Sequence, residues 1–393
     1  MDYVLLWVMV ITTTERGREF LGQEGALYWW SVVRLRIRRL LMIALAWIFL
    51  IPAFGTGASH LKPQTLSGIP ALSQLPTARF VRLATQQKYD EALELADSIE
   101  HSAPDQPQGY FFRMTILNNR SIDYEDERDR EALEQAVDSV ITICQRRIAE
   151  SDSGALVRFY LGSTLGYKMI HSLRRKDYFD ALRLGRQAAD WLEAAIAKDS
   201  ACYDAYAGLG NYYYFLSRYS WILRSAGLVR DRREQGISLL RKAAAYGCLT
   251  QSAAASSIAW IWIDKEQPDS AERIARDLLA EYPDNRAFLW CLGRSLKMME
   301  RWEETINVYQ QLLKSIRLLL VNNHLNEIGC LNSIGCAYYE LGQWAEVVSI
   351  ANEALELQIT PDIASRKAKD LSRLRALRRE ALEILKRKQT NAH

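Results

Sequence analysis

The sequence predicts an all-α protein: a solenoid of helical hairpins with a C-terminal capping helix. Three observations predict it. The stretch Trp302-Glu303-Glu304-Thr305-Ile306 begins nine residues after Leu292-Gly293, and Trp344-Ala345-Glu346-Val347-Val348, 42 residues further on, begins nine residues after Ile334-Gly335. Self-similarity at that period marks a repeated two-helix unit. Proline is scarce, at 9 residues in 393, so long apolar-periodic stretches run without a break. Valine and isoleucine never fall into repeated alternating runs, which argues against strands. Hydrophobic content of 49% and charged content of 25% are ordinary for a folded chain. The length allows two or three domains or one continuous stack, and the repeat favours the stack.

The chain opens with an extension, residues 1–33, apolar from Tyr3 to Ile11 and aromatic at Tyr28, Trp29 and Trp30. Such a stretch fits awkwardly ahead of an arginine cluster and an apolar run; translation beginning near Val32 or Val33 would account for it, and a short membrane-dipping segment is the alternative. Arg34, Arg36, Arg38 and Arg39 precede an uncharged run, Leu40 to Phe54, and small residues from Gly55 to Ser59. A charged start, an apolar centre and a small-residue exit describe an export signal. The run spans about 23 Å as helix, short of a ~30 Å hydrocarbon core. Residues 34–58 therefore read as a signal peptide cleaved after Ala58 or, with the neutral flank kept, as a signal anchor. Both place the rest of the chain across the membrane, in the periplasm or cell envelope.

Residues 59–74 read as a linker, with Pro63, Ser67, Gly68 and Pro70. Hairpins are expected over 75–360, five to seven of them. The first unit has Tyr89-Asp90-Glu91-Ala92, Ala96 and Pro104. The second runs from Tyr110 to about Ala149, with an acidic turn from Asp123 to Asp129. The third has Leu161-Gly162 and Tyr178-Phe179-Asp180-Ala181, and its second helix starts late. The fourth has Tyr206, Leu209-Gly210 and Tyr213; the fifth has Ala259, Trp262, Ala271, Ala275 and Pro283. The sixth has Leu289, Leu292-Gly293, Leu296, Trp302 and Tyr309, and the seventh has Leu331, Ile334-Gly335, Tyr338, Trp344, Ala351 and Ala354. Each pattern supplies a small residue where two helices cross and large apolar residues around it. After Pro361 one basic amphipathic helix is expected to about Lys388, with Leu at 371, 374, 377, 382 and 385. A solenoid needs such a cap over its last apolar face.

These spacings resemble the tetratricopeptide repeat (TPR), most closely in units four to seven. Tyr206, Leu209-Gly210 and Tyr213 match its first-helix pattern with Tyr in place of Trp. The resemblance implies a right-handed superhelix whose groove binds another protein. Between the helices of unit four lies an insertion, near 216–233, rich in aromatics. With Gly227, Asp231, Arg232 and Gly236 it resembles the middle of the inclusion-body-clearance family of TPR proteins. That implies a non-enzymatic role near membranes or protein aggregates. Tyr219 and Trp221 in the insertion are candidates for a docking or membrane patch. Asp231 is placed to cap the following helix, and Gly236 inside that helix suggests close packing.

By the same resemblance, the concave face is expected at fixed offsets from each crossing residue. It then presents Phe159 and Tyr167; Asn211, Tyr214 and Phe215; Ser256 and Trp260; Trp290, Arg294 and Lys297; and Asn332 and Tyr339. That is an aromatic groove with one basic rung. Aromatics dominate binding hot spots, and Arg294 and Lys297 suit an acidic side chain or a chain terminus. Ser256 and Trp260 interrupt the basic pattern of chaperone-binding TPR clamps, which argues against that partner class.

Charge fits this picture. Residues 1–59 carry 6 basic and 4 acidic residues, and 361–393 carry 10 and 4; from a net +3 the remainder is 3 − 2 − 6 = −5. An acidic body does not describe a nucleic-acid binder. The six cysteines, Cys144, Cys202, Cys248, Cys291, Cys330 and Cys336, form no CxxC pair and read as packing residues. No H-E-x-x-H, G-x-S-x-G or G-x-x-x-x-G-K-[ST] occurs. The expected function is a protein- or peptide-binding scaffold of the cell envelope, without catalysis, cofactor or metal. A membrane-anchored adaptor is the first alternative, and an enzyme with an unrecognised site the second.

Overall fold

A computed structural model of the chain describes residues 74–150, 154–220 and 230–390. The extension, the export segment, the linker up to residue 73, Trp221 and Gly227 lie outside the described residues. Every regular element among the described residues is a helix.

Fourteen of these helices pair into seven hairpins. They are α1 (Gln74–Thr85) with α2 (Tyr89–Ser102), α3 (Pro107–Tyr124) with α4 (Arg130–Ala149), and α5 (Ala155–Arg174) with α6 (Tyr178–Lys198). Then come α7 (Tyr203–Tyr219) with α8 (Arg233–Tyr246), α9 (Gln251–Asp264) with α10 (Pro268–Glu281), α11 (Arg286–Met298) with α12 (Trp302–Arg317), and α13 (Leu325–Glu340) with α14 (Trp344–Glu356). The third hairpin has the expected long helices, 20 and 21 residues.

The crossing residues sit where the sequence puts them. The fourth hairpin is the tightest. A Cβ on Gly210 would lie 2.7 Å from the Gly236 carbonyl oxygen, and one on Gly236 would lie 2.6 Å from the Gly210 oxygen. Backbone meets backbone there, so only glycine fits at either position. Asp231 accepts a hydrogen bond from the Arg233 N–H at the start of α8.

Six of the seven hairpins turn through one left-handed residue: Gln87, Glu125, Lys176, Glu266, Glu300 and Gly342, with φ between 52° and 68°. In each of them the N–H after that residue returns to a carbonyl five positions back, as in Lys88 to Leu83 and Gln343 to Tyr338. This is the Schellman closure of a helix C-terminus. It fixes the angle between the two helices. The fourth hairpin, which carries the insertion, lacks a described residue of this kind, and α7 instead runs on to Tyr219.

The end of the chain departs from expectation. The cap is two helices, α15 (Pro361–Arg366) and α16 (Ala368–Thr390), not one. The break at Lys367 lets Ile363 enter a cluster with Leu325, Ile328 and Leu371 while α16 turns to lie on α13 and α14. Leu371, Leu374 and Leu377 are buried, but Ala381 replaces Leu382 as the next contact, and Leu382 is exposed. Cys248 is likewise exposed, contrary to its reading as a packing residue, because it lies in the turn between α8 and α9.

Candidate functional site

The expected groove divides into a part that is filled and a part that stays open. Phe159, Tyr167, Asn211, Tyr214, Phe215, Ser256 and Trp260 are all buried, none above 6% exposure. Their expected role as an exposed groove is corrected by this burial. The first helices of successive hairpins converge closely enough to pack on one another. Phe159 stacks edge-on against Phe111 of α3. The Tyr214 hydroxyl donates to Asp264 of α9 at 2.8 Å, and the Asn211 amide donates to Ser257 of α9 at 3.2 Å. Burial, and then the Asp264 carboxylate, push the Tyr214 hydroxyl above the usual phenol range. A cavity of about 40 Å³ remains beside Asn211, Ser163, Asp204 and Thr250. It has room for water and for nothing the size of a cofactor.

Asp204 shows why that interior stays closed. One of its carboxylate oxygens accepts from the Leu249 and Thr250 N–H groups and the Thr250 hydroxyl, all at 2.8–2.9 Å. It thereby caps α9 from the neighbouring hairpin. Burial raises its pKa, against these bonds.

Tyr219 is half-buried, stacked at 6.0 Å on Phe215, and burial lifts its hydroxyl to about 12. Asn332 and Tyr339 are engaged by the cap: Asn332 donates to Asp370 and Tyr339 donates to Glu380 of α16. Trp290 packs edge-on to Tyr309 at 5.5 Å. Arg294 is exposed and Lys297 partly so, and neither has an ion-pair partner among the described residues. Of the expected groove, Arg294 is exposed, and Trp290, Lys297, Asn332 and Tyr339 are partly so; in that set Arg294 and Lys297 carry charge.

Residues far apart in the sequence form a seam that sequence reading missed. The turns of the first two hairpins meet the helix starts of the sixth and seventh. Asn285 caps α11 by accepting from the Phe288 N–H, and its amide donates to the Thr85 carbonyl at 2.7 Å. The Arg286 N–H donates to Gln87, and its guanidinium forms a two-pronged ion pair with Asp123. That pair is nearly enclosed, at 9% and 11% side-chain exposure. Asn323 donates to the Glu125 carbonyl, Asn326 donates to the Asp123 carbonyl, and Arg366 pairs with Glu125. Tyr89 donates to the same Asp123 carboxylate at 2.9 Å. Burial alone would lower the Arg286 pKa; the adjacent Asp123 charge and hydrogen bonds outweigh it and raise it. The stack has therefore curled through a full turn onto itself. Locally, Asn285-Arg286 reads as an ordinary helix start, and its partners lie about 200 and 163 residues upstream. No periodic signal links such positions.

Among the described residues no group of three His, Cys, Asp or Glu side chains is placed to hold a metal. No described helix is long and apolar enough to cross a membrane. Burial raises the thiols of Cys144 and Cys202 to about 12, far from a reactive thiolate.

The class of protein is thus a closed helical-hairpin solenoid. Residues 285–359, which hold the sixth and seventh hairpins, match the sequence model of the tetratricopeptide repeat family. No curated protein matches the chain. Solved structures of similar shape include the Cut9–Hcn1 hetero-tetramer of APC/C, at 14% identity and TM-score 0.49, covering 81% of this chain and 57% of that one. Yeast Tom70 is similar at 14% identity and TM-score 0.41, with 94% and 75% covered. The C-terminal part of a TPR protein from Cytophaga hutchinsonii gives 14% and 0.38, with 74% and 98% covered. This chain spans 57% of the length of the first of these.

Proposed function

We propose that the chain is a non-enzymatic scaffold of the cell envelope that holds a protein or peptide partner at the Arg294–Lys297 rung. The observation that carries this reading is the contrast within the expected groove. Its aromatic positions in hairpins three to five are consumed by packing, while on α11 Arg294 is exposed and Lys297 partly so, both without a carboxylate partner among the described residues. Lying three residues apart on one helix, they share a face and suit an acidic side chain or a C-terminal carboxylate. Helical-hairpin repeats present surfaces of this kind for protein recognition.

Export rests on Arg34 to Ser59 as read from the sequence. Affinity capture of the full chain from its native envelope tests the scaffold. The Arg294→Glu/Lys297→Glu variant is expected to lose the captured partner, and an unchanged partner set removes the rung. Fractionation tests the location: release after cleavage at Ala58 supports a signal peptide, and retention with residues 34–58 intact makes that segment an anchor.

A further inference from the structure

The third hairpin leaves a charged and apolar edge uncovered. Its turn passes through Arg174, Arg175, Lys176 and Asp177 into α6, where Tyr178, Phe179 and Leu182 are exposed, Phe179 to 76%. Phe179, Leu182, Arg183 and Arg186 follow the spacing i, i+3, i+4, i+7 and so share one face of α6. The opposite face, Ala181, Leu184, Gly185 and Ala188, is buried. No packing among the described residues explains three large apolar side chains on the solvent side.

The charge of this edge runs against that of the body. Residues 174–186 hold five basic and two acidic side chains, 5 − 2 = +3, within a region that totals −5. Both acids are already engaged. Asp177 caps α6 by accepting from the Asp180 N–H, and Asp180 accepts from the Ser172 hydroxyl and pairs with Arg183. Arg175 donates to the Ser172 hydroxyl. The side chains of Arg174 and Lys176 have no hydrogen bond or ion pair among the described residues. The surface continues onto the fourth hairpin. Tyr212 packs where a Cβ on Gly185 would fall, at 3.4 Å, and beside it Arg186 pairs with Asp190 at 2.9 Å. Arg230 beyond it is exposed.

We propose that this edge, with Tyr178, Phe179 and Leu182 among Arg174, Arg175, Lys176 and Arg183, docks on an anionic lipid surface. Aromatic and aliphatic side chains that project from a helix end, beside unpaired cations, match the boundary between acyl chains and headgroups. The cations select a negative surface, and their stems add apolar contact. The proposal rests on the described residues and not on the export of the chain or its rung, so each stands or falls alone.

Hydrogen exchange of the backbone amides of 174–186, read by mass spectrometry in the full chain, tests it. The probes are vesicles of phosphatidylglycerol and of phosphatidylcholine. A local readout is needed because Leu40 to Phe54 can itself enter lipid. Exchange at these amides is expected to slow about tenfold on phosphatidylglycerol, the scale of burying one large apolar side chain, and to stay unchanged on phosphatidylcholine. Phe179→Ser/Leu182→Ser and Arg175→Glu/Lys176→Glu, each with helicity checked by circular dichroism, should abolish the slowing. Unprotected amides on a vesicle-bound chain overturn the proposal, as does equal protection on both lipids. Protection by polyglutamate but by neither vesicle also overturns it and points to an acidic protein surface.

Discussion

The same edge of the solenoid has two fates. In the first two hairpins the turn between paired helices presents Thr85, Gln87, Asp123 and Glu125, and these meet Asn285, Arg286, Asn323 and Arg366 across the seam. In the third hairpin the equivalent turn presents Arg175, Lys176 and Phe179 to solvent, with Arg174 partly buried beside them. The difference teaches how a repeat stack ends. A covered turn carries acids and amides that satisfy the helix starts of the next superhelical turn. The third turn, which no other hairpin covers among the described residues, carries three cations, Arg174, Arg175 and Lys176, against one acid, Asp177.

The sharpest way to break this contrast is Arg286→Ala. It would leave the Asp123 carboxylate enclosed without its cation, and a loss of about 3–5 kcal/mol is expected, read as a lowered urea midpoint. Adding Asp123→Leu should recover much of that loss, because no buried charge then lacks a partner. If the two changes simply add, the seam is not a cooperative lock.

The uncovered side has a titrating element of its own. Burial lowers the His171 pKa to about 4, with help from Arg174 and Arg175; Arg130 also lowers it and Glu134 opposes. Unfolded, the ring titrates near 6.5. The unfolded chain therefore binds more protons between those values, so stability should hold above about pH 6.5 and fall as pH drops toward 4. The expected loss is about 2–3 kcal/mol. Urea midpoints across that range should show the decline, and His171→Gln should flatten it.

Asn285→Ala removes both the α11 cap and the bond to the Thr85 carbonyl. A loss of about 1–2 kcal/mol is expected, with faster amide exchange at the start of α11. The smallest effect belongs to the free edge: Phe179→Ser should change stability by no more than about 0.5 kcal/mol. A thermal shift larger than that would mean that Phe179 packs against the chain and does not face solvent.

Much of the architecture was legible in the sequence because it depends on neighbours along the chain. The residues Gly162, Gly210, Gly293 and Gly335 with their flanking apolar residues mark helix crossings, and crossings recur at a fixed spacing. The insertion after Tyr213 was also visible, as a hairpin too long for its turn. The left-handed turn residues were not, because only Gly342 among them is glycine. Glutamate or lysine at such a position gives no sign that its backbone is inverted. The groove was misread for a related reason. Offsets from a crossing residue say which way a side chain points, but not how far away the next helix lies.

The chain by itself determined that it forms paired helices, how many residues each turn receives, and where the apolar faces lie, since these depend on local spacing and short-range sterics. Tertiary structure alone decided how strongly the stack curls. That curl accumulates from small rotations between hairpins, and its outcome appears only when Asn285 reaches Thr85 and Arg286 reaches Asp123. The same curvature fills the inner face with Tyr214 and Trp260 and leaves Arg294 and Phe179 facing solvent.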